Sequence, residues 1–297
     1  MDKFRKLSRN NIQALVALAY NLHIPNFFKG KIYSGPSKKV CLPGLNCYSC
    51  PGAAGSCPIG SLQAVMGSKK YRFSYYVFGI MAFFGVMLGR LICGFLCPMG
   101  WFQDLLNKIP TKKFSSKSLW PLRLIKYAIL FLLILALAFV MRGKYEVIPP
   151  YFCKYICPQG IIQGAIPLAI KNPSLRLALG KLFNLKLAIL ITTMVLSIIF
   201  YRPFCKWICP LGAFYSFFNK YSFYQMNVNK SKCIDCGKCS KVCKMDVDIR
   251  ENNAHLECIR CHECTKACPT NAISSSFIQR RENEKYKQNV STNVTKS

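Results

Sequence analysis

Long apolar stretches without charged residues are the clearest pattern in the first part of this chain. Three of them, Phe73–Gly89, Tyr127–Met141 and Leu187–Tyr201, have lysine or arginine at their ends and show no polar face. The missing polar face disfavours buried helices of a soluble protein. The pattern therefore predicts membrane spans, whose flanking cations can reach the interface. A fourth stretch, Asn11–Phe28, is uncharged but more polar; it is predicted either to span the membrane or to lie in the interface, and spanning is favoured.

The composition adds a large excess of positive charge to this apolar pattern. The 297 residues include 41 Lys+Arg and 11 Asp+Glu, and 52% of them are hydrophobic, with a mean hydropathy of +0.21. Basic connections between apolar blocks indicate a membrane protein beside anionic lipid. Nucleic acid, the other common partner of a basic chain, is not expected, because the lysines are spread over every loop rather than gathered on one face.

Eight of the 18 cysteines form two copies of one spacing near the end of the chain. The two runs are Cys233-x2-Cys236-x2-Cys239-x3-Cys243 and Cys258-x2-Cys261-x2-Cys264-x3-Cys268-Pro269. This tandem resembles the bacterial two-cluster ferredoxin, although Lys244 replaces the first proline. Zinc also binds Cys-x2-Cys pairs, but it rarely needs four cysteines in this spacing. Such dense spacing also disfavours a framework of long-range disulfides.

The ferredoxin resemblance implies two [4Fe–4S] clusters, each held by three cysteines of one run and one cysteine of the other. One cluster would be held by Cys233, Cys236, Cys239 and Cys268. The second would be held by Cys243, Cys258, Cys261 and Cys264. The predicted ferredoxin domain covers 223–275, and a polar tail over 276–297 is predicted to be disordered.

A second cysteine repeat lies between the apolar stretches. Three copies share the template C-[GK]-aromatic-[LI]-C-P-x-G and begin at Cys93, Cys153 and Cys205, while a looser copy runs from Cys50 to Cys57. Cysteines four apart can reach one cluster, and a proline directly after the second suits the first turn of a helix. The positive helix start would face an anionic cluster, and the glycine lets backbone approach it. Each copy therefore predicts two cluster ligands.

Two further positions recur with these copies. Gln63, Gln103 and Gln163 each stand six residues after the second cysteine of the first, second and third copies. Arg90 and Arg202 stand three residues before the first cysteine of the second and fourth copies, and the first and third copies lack this arginine. The arginines group the second copy with the fourth.

The order of predicted spans and copies indicates which copies share a side of the membrane. One span separates each copy from the next, and pairing within a face spares a ligand from crossing a core of about 30 Å. The ferredoxin run follows the fourth copy, and cluster insertion in the cytosol makes that face cytoplasmic. The copies on the cytoplasmic face supply four cysteines, enough for one cluster: Cys93, Cys97, Cys205 and Cys209. The predicted outer ligands are Cys50, Cys57, Cys153 and Cys157, with Cys41 and Cys47 as alternatives.

With these motifs the chain resembles the membrane polyferredoxins with C-x3-C-P motifs, a group related to the NapH, NosR and CcoG (FixG-like) proteins. The resemblance covers essentially the whole chain and rests on Cys93/Cys97-Pro98, Cys205/Cys209-Pro210 and the tandem run. It implies a multi-pass protein of the cell membrane that passes electrons to or from a redox partner. The copies that end at Cys57 and Cys157 do not belong to the simple NapH-like pattern.

The predicted fold is an α-helical multi-pass membrane domain of about four spans over 1–222, followed by a small α+β two-cluster ferredoxin domain on the cytoplasmic side. One or two further [4Fe–4S] clusters are expected in the membrane domain. The predicted function is electron transfer between a cytoplasmic donor or the quinone pool and an acceptor protein at the outer face. Two other hypotheses are a reductase of a metal ion, thiol or quinone at the outer cysteines, and an assembly factor for a redox enzyme. Catalytic residues stay unassigned.

Overall fold

The computed structural model describes residues 8–67, 74–136, 149–177 and 179–277. This part of the chain folds mainly into short helices, with two 3₁₀ turns at Pro36–Lys39 and Trp120–Leu124. Three segments are π-helical, at Ile129–Ala136, Phe152–Ile156 and Ile161–Ala165. The α-helices are Arg9–Tyr20, Pro25–Lys29, Pro58–Met66, Tyr75–Leu88, Leu91–Phe95, Pro98–Leu106, Ile125–Ala128, Ile166–Lys171, Pro173–Leu177, Lys181–Ile199, Pro203–Trp207, Pro210–Phe218, Lys238–Val242 and Glu263–Ala267.

The Cys-Pro-x-Gly copies start helices, as the sequence predicts. Helices of nine residues begin at Pro58, Pro98 and Pro210, and the cysteine before each proline is the N-cap residue with extended backbone. Proline fits the first helical position because its missing N–H would have no partner there anyway. In the third copy, the turn after Cys157 leads instead into the π-helical segment Ile161–Ala165.

The prediction of a multi-pass membrane domain with about four spans is wrong. Within the described ranges, one helix, Lys181–Ile199, is long and apolar enough to cross a membrane. The helix in the first predicted span, Tyr75–Leu88, has 14 residues, fewer than the roughly 20 that a bilayer requires. It ends at Gly89, whose φ of 56° is left-handed, and a Cβ there would lie 2.7 Å from Oδ1 of Asn219.

The other two predicted spans are also interrupted. The stretch Asn11–Phe28 divides into Arg9–Tyr20 and Pro25–Lys29, because the first helix ends at Asn21 and proline begins the next. The stretch Tyr127–Met141 is α-helical only to Ala128 and π-helical over Ile129–Ala136, and the rest lies outside the described residues. The lack of charged residues in these stretches gave no indication that helices end within them.

The ferredoxin-like part is not clearly separate from the rest of the fold. Its two strands, Tyr224–Val228 and Ile273–Phe277, pair antiparallel, with Tyr224 opposite Phe277. Beyond this sheet, Met245, Val247 and Ile259 belong to the same hydrophobic core as Met81 and Met99 of the N-terminal part. Most of the predicted tail over 276–297 lies outside the described residues.

Buried ion pairs join the helices of the core. Each of three carboxylates contacts two basic side chains, and most of these partners are buried: Asp104 contacts Arg9 and Arg202, Glu257 contacts Arg90 and Lys126, and Asp246 contacts Arg123 and Lys206. Two of the three carboxylates come from the ferredoxin-like part and bind cations of the N-terminal part. Because removing one partner of a buried pair leaves an unpaired buried charge, these contacts hold the two parts together.

Candidate functional site

The two ferredoxin-like sets of cysteines each surround a small gap. The terminal set, Cys233, Cys236, Cys239 and Cys268, lines a gap of about 20 Å³. The proximal set, Cys243, Cys258, Cys261 and Cys264, lines a gap of about 30 Å³. Cys239 lies between them, since it lines both gaps. Cys268 of the second run thus lies with cysteines of the first run, and Cys243 of the first run lies with cysteines of the second, which is the grouping that the ferredoxin resemblance implies.

The second and fourth copies meet at a third set. This central set consists of Cys93, Cys97, Cys205 and Cys209, and all four side chains are buried. Burial, followed by the neighbouring thiols of the set, raises the pKa of Cys209 well above its usual value. Burial and then Cys97 raise the pKa of Cys205 to about 12. Thiols that oppose one another's ionisation in this way are suited to a group that carries positive metal ions.

Gln103 fixes one cysteine of the central set. Its Nε2 donates to Sγ of Cys205 at 3.0 Å, and its Oε1 accepts the N–H of Phe204 at 3.1 Å. The glutamine that follows the second copy therefore positions the start of the fourth copy, 102 residues away.

The glycine of each Cys-Pro-x-Gly copy explains the template. Its backbone N–H donates to the thiol of the second cysteine and lowers that pKa against the larger effect of burial, in the pairs Gly60 with Cys57, Gly100 with Cys97, Gly160 with Cys157 and Gly212 with Cys209. Hydrogen bonds of this kind favour the thiolate. A Cβ at Gly60 would lie 3.6 Å from Sγ of Cys153, so the helix start lies directly against the opposite copy.

The first and third copies meet at a fourth set, here called the cavity set. Its members, Cys47, Cys57, Cys153 and Cys157, line a cavity of about 520 Å³. Burial and then Cys47 raise the pKa of Cys157 to about 12. At Gly160, a Cβ would lie 3.9 Å from Sγ of Cys47.

Cys50 is the predicted ligand here, with Cys41 and Cys47 as alternatives, whereas in the structure Cys47 lines the cavity. Sγ of Cys50 instead donates to Oδ1 of Asn21 at 3.3 Å. The remaining alternative, Cys41, forms an isolated backbone β-bridge with Ser56. The structure therefore favours Cys47, one of the two predicted alternatives, over Cys50 as the fourth cysteine of this set.

Gln163 is the residue that selects Cys47. Its Oε1 accepts the N–H of Cys47 at 2.8 Å, and its Nε2 donates to Oδ1 of Asn46 at 2.8 Å. The recurrence of this glutamine in the sequence marks a shared structural role. Gln103 accepts the N–H of Phe204, directly before Cys205, and Gln163 accepts the N–H of Cys47, but the recurrence alone did not show which cysteine each glutamine would contact.

These sets fit an anionic [4Fe–4S] cluster. Such a cluster needs four thiolates, and N–H donors and nearby cations stabilise its negative charge. Around the buried carboxylates, six basic side chains accompany three acidic ones, so the core carries surplus positive charge. In the described part of the chain, no group of three or more His, Cys, Asp or Glu side chains is arranged to hold a single metal ion. The terminal and proximal sets instead surround small gaps, and the cavity set lines a larger cavity.

Comparison with known families agrees with this chemistry. The family described as "4Fe-4S binding domain" matches residues 75–117, 127–168 and 185–231, and the family described as "4Fe-4S dicluster domain" matches residues 218–288. The chain carries 4Fe–4S ferredoxin-type domains. Each match to the first family contains one Cys-x3-Cys-Pro copy, and the match to the second contains all eight cysteines of the tandem run.

Three similar proteins follow, and the names of two of them refer to electron transport or to ferredoxin. An uncharacterized protein of Methanocaldococcus jannaschii is 29% identical over 65% of this chain and 74% of its own length. YccM of Escherichia coli, described provisionally as an electron transport protein, is 25% identical over 55% of this chain and 44% of its own length. The methylamine utilization ferredoxin-type protein MauN of Methylorubrum extorquens is 24% identical over 55% of this chain and 50% of its own length. No solved structure matches the chain.

The domains and relatives support an iron–sulfur electron-transfer function with [4Fe–4S] clusters as cofactors. The matches to 4Fe–4S domains and to ferredoxin-type proteins confirm the ferredoxin part of the predicted resemblance. The number of clusters and the cysteines that bind each one stay predictions, as does membership of the membrane polyferredoxin group.

Proposed function

We propose that this protein is an iron–sulfur relay at the cell membrane, which conducts single electrons between the terminal set and the cavity set. When bound, [4Fe–4S] clusters supply one-electron oxidation and reduction. The observation that carries the proposal is that the four cysteine sets follow one another through a single folded core. Backbone or cysteine contacts join each set to the next.

The proximal and central sets are joined by direct backbone packing. Gly94, between two central-set cysteines, lies so close to Ile259 that a Cβ on the glycine would be 2.5 Å from the Ile259 carbonyl oxygen. Ile259 itself directly follows Cys258 of the proximal set. A second link is Lys206, whose Nζ donates to the carbonyl of Lys244 at 2.9 Å. These contacts leave no room for solvent between the two sets at these points.

The central and cavity sets are joined by the loop that carries Cys47. The N–H of Leu45 donates to the thiol of Cys97 in the central set. Leu45 also lines the cavity of the cavity set, and a Cβ at Gly44 would lie 3.3 Å from Cα of Cys97. One short loop thus contacts both sets, which favours transfer between them.

The two ends of the relay differ in what they can contact. Near the terminal set, Cys236 is exposed and the neighbouring Ile234 is 65% exposed, which suits docking of a cytoplasmic redox protein. The cavity set opens instead into a cavity whose volume of about 520 Å³ is in the range of small-molecule sites. Reduction of a small acceptor such as a metal ion, thiol or quinone in this cavity is therefore a second candidate function. An acceptor protein could take the electron at the same end.

Membrane attachment is part of the proposal and rests on the helix Lys181–Ile199. Only 17% of its most apolar 18 residues are buried, and Ile191 and Val195 are 53% and 51% exposed. The polar side chains of Thr193 and Ser197 face the protein and donate to carbonyls of the same helix. An apolar helix that turns its aliphatic face outward fits a lipid bilayer better than water. The ferredoxin-like end would face the cytoplasm, where clusters are inserted.

Replacement of two exposed residues tests the membrane part of the proposal. Ile191→Lys with Val195→Lys is expected to move the protein from the membrane fraction to the soluble fraction, because two charges on the lipid face oppose insertion. Leu256→Lys, at an exposed position of the ferredoxin-like part, is the matched control and should stay in the membrane fraction. Retention of the double variant in membranes would exclude this helix as the anchor.

Rapid-freeze EPR tests the relay itself. Reduced ferredoxin is mixed with the oxidised, anaerobically purified protein, and the arrival of electrons at the cavity set is followed with time. Cys261→Ala should slow this arrival strongly, because it removes a ligand of the proximal set in the middle of the path. Cys50→Ala, outside all four sets, is the control. An unchanged arrival rate in Cys261→Ala would contradict the relay.

A further inference from the structure

Arg90 is a buried cation with hydrogen-bond donors that the protein does not use. Its side chain is 0% exposed, and Nη1 donates to Oε2 of Glu257 at 2.7 Å and to the carbonyl of Leu256 at 2.9 Å. Among the residues that the structure describes, neither Nε nor Nη2 of Arg90 has a hydrogen-bond partner. Buried donors without partners are costly, and those of a charged group especially so. The Nε and Nη2 of Arg90 therefore need a hydrogen-bond acceptor.

The unused donors lie beside the central set. A Cβ at Gly212 would be 3.5 Å from Nη2 of Arg90, and the N–H of Gly212 donates to the thiol of Cys209. Arg90 also stands three residues before Cys93, at the start of the helix Leu91–Phe95. The Arg90 side chain thus begins in the second copy and reaches the helix start beside Cys209 of the fourth copy.

Arg202 occupies the same position in the fourth copy but has partners for all of its nitrogens. Its Nε and Nη2 donate to the two carboxylate oxygens of Asp104, and its Nη1 donates to the carbonyl of Cys93. It lies against the opposite copy as Arg90 does, since a Cβ at Gly100 would be 3.2 Å from its guanidinium carbon. The two arginines are equivalent in sequence, yet only Arg90 keeps donors free for a ligand.

We propose that Arg90 donates hydrogen bonds to sulfur atoms of the cluster held by the central set and thereby raises its reduction potential. Thiolate and sulfide sulfurs are acceptors, which is what the free Nε and Nη2 require. Hydrogen bonds to sulfur favour the reduced form, because reduction adds negative charge to the cluster. Arg90 then tunes one step of the relay through direct contact with the cluster. This inference rests on the proposed function of the central set.

Arg90→Lys tests the proposal because it keeps a cation opposite Glu257 while removing the Nε and Nη2 donors. The two lost hydrogen bonds are stronger in the reduced cluster than in the oxidised one, and we expect their loss to lower the equilibrium constant for reduction roughly tenfold. For a one-electron couple this is about 59 mV in the midpoint potential. An EPR-monitored redox titration should show the fall for the central-set signal alone.

Arg202→Lys is the matched control. It removes contacts to Asp104 rather than free donors, so we expect lower thermal stability and less than a threefold change in the same reduction equilibrium. If both variants lower the potential equally, or if Arg90→Lys leaves it unchanged, the proposal is wrong.

A measurement on the unaltered protein covers the case in which Arg90→Lys does not fold. Pulsed EPR of protein labelled with ¹⁵N-arginine should show ¹⁵N coupled to the reduced central-set cluster, and the coupling should persist in labelled Arg202→Lys protein, which lacks the other arginine beside the set. Absence of the coupling from either protein would overturn the proposal. Iron content separates this failure from failure of the proposed function. Without a central-set cluster, Cys97→Ala would leave the iron content and the EPR spectrum of the protein unchanged.

Discussion

The two halves of the cysteine arrangement are built in different ways. The terminal and proximal sets come from one run between Cys233 and Cys268, so their spacing along the chain places the thiols. The central and cavity sets combine motifs far apart in sequence, as the contacts from Gln103 to Cys205 and from Gln163 to Cys47 show, over 102 and 116 residues. The first kind of site can be recognised in sequence, whereas the second depends on how helices pack.

The difference extends to the charges around the sites. In the N-terminal half, cations such as Arg90, Lys126 and Arg202 are buried in pairs around single carboxylates. In the ferredoxin-like half, Arg250 pairs with Asp248 in a partly exposed position. Sites assembled from distant segments need such internal pairs, because no short loop holds their cysteines together. Removal of a buried pair should therefore damage the central set more than removal of an exposed pair damages the terminal set.

The largest expected effect is the loss of a whole cluster from the central set. Cys97→Ala and Cys209→Ala, in motifs from two separate copies, should abolish the same EPR signal, because each copy supplies two of the four thiolates. Cys239→Ala is the comparison from the ferredoxin-like half and should disturb a terminal-set signal while leaving the central one intact. Loss of two different signals in Cys97→Ala and Cys209→Ala would show that the copies bind separately.

The cavity set offers the next sharpest test, through two cysteines three residues apart. Cys47→Ala should remove the same EPR signal as Cys157→Ala, because both thiols line the same cavity. Cys50→Ala should keep that signal, since its thiol bonds to Asn21 instead. The reverse outcome, with Cys50 required and Cys47 dispensable, would restore the assignment made from sequence.

A smaller effect is expected on stability when the two kinds of ion pair are compared. Asp104→Asn should cost about 3–5 kcal/mol of unfolding free energy, because it leaves buried Arg202 without its counter-charge. Asp248→Asn should cost about 1 kcal/mol or less, since its pair with Arg250 is partly exposed. Thermal unfolding in detergent, followed by circular dichroism, measures both changes. Equal losses would mean that the buried pair is not what holds the N-terminal half together.

Some of this arrangement could be predicted from the sequence, and some could not. The positions of Pro58, Pro98 and Pro210 give the helix starts, because proline after an N-cap cysteine has a local meaning. Arg90 and Arg202 mark the second and fourth copies as a pair, and the structure places their cysteines around one site. The span counting that led to the same grouping is wrong, since Gly89 and other breaks shorten the helices.

What escaped prediction depends on contacts between distant segments. Whether Cys47 or Cys50 joins the cavity set is decided by Gln163, which reaches Cys47 across the fold. The ion pairs of Glu257 with Arg90 and Lys126 likewise join segments with no shared pattern in sequence. These pairs are also why the ferredoxin-like part shares a core with the rest, although the tandem cysteine run alone suggested a separate domain.

Iron and acid-labile sulfide analysis of anaerobically purified protein tests the central claim most directly. Four sets of four cysteines predict about 16 iron atoms per chain, with an equal amount of sulfide, since each cluster contains four of each. Combined with Mössbauer spectroscopy, the measurement also shows whether all of the iron is in [4Fe–4S] form. A content of about eight iron atoms per chain, the number for a two-cluster ferredoxin, would contradict clusters at the central and cavity sets.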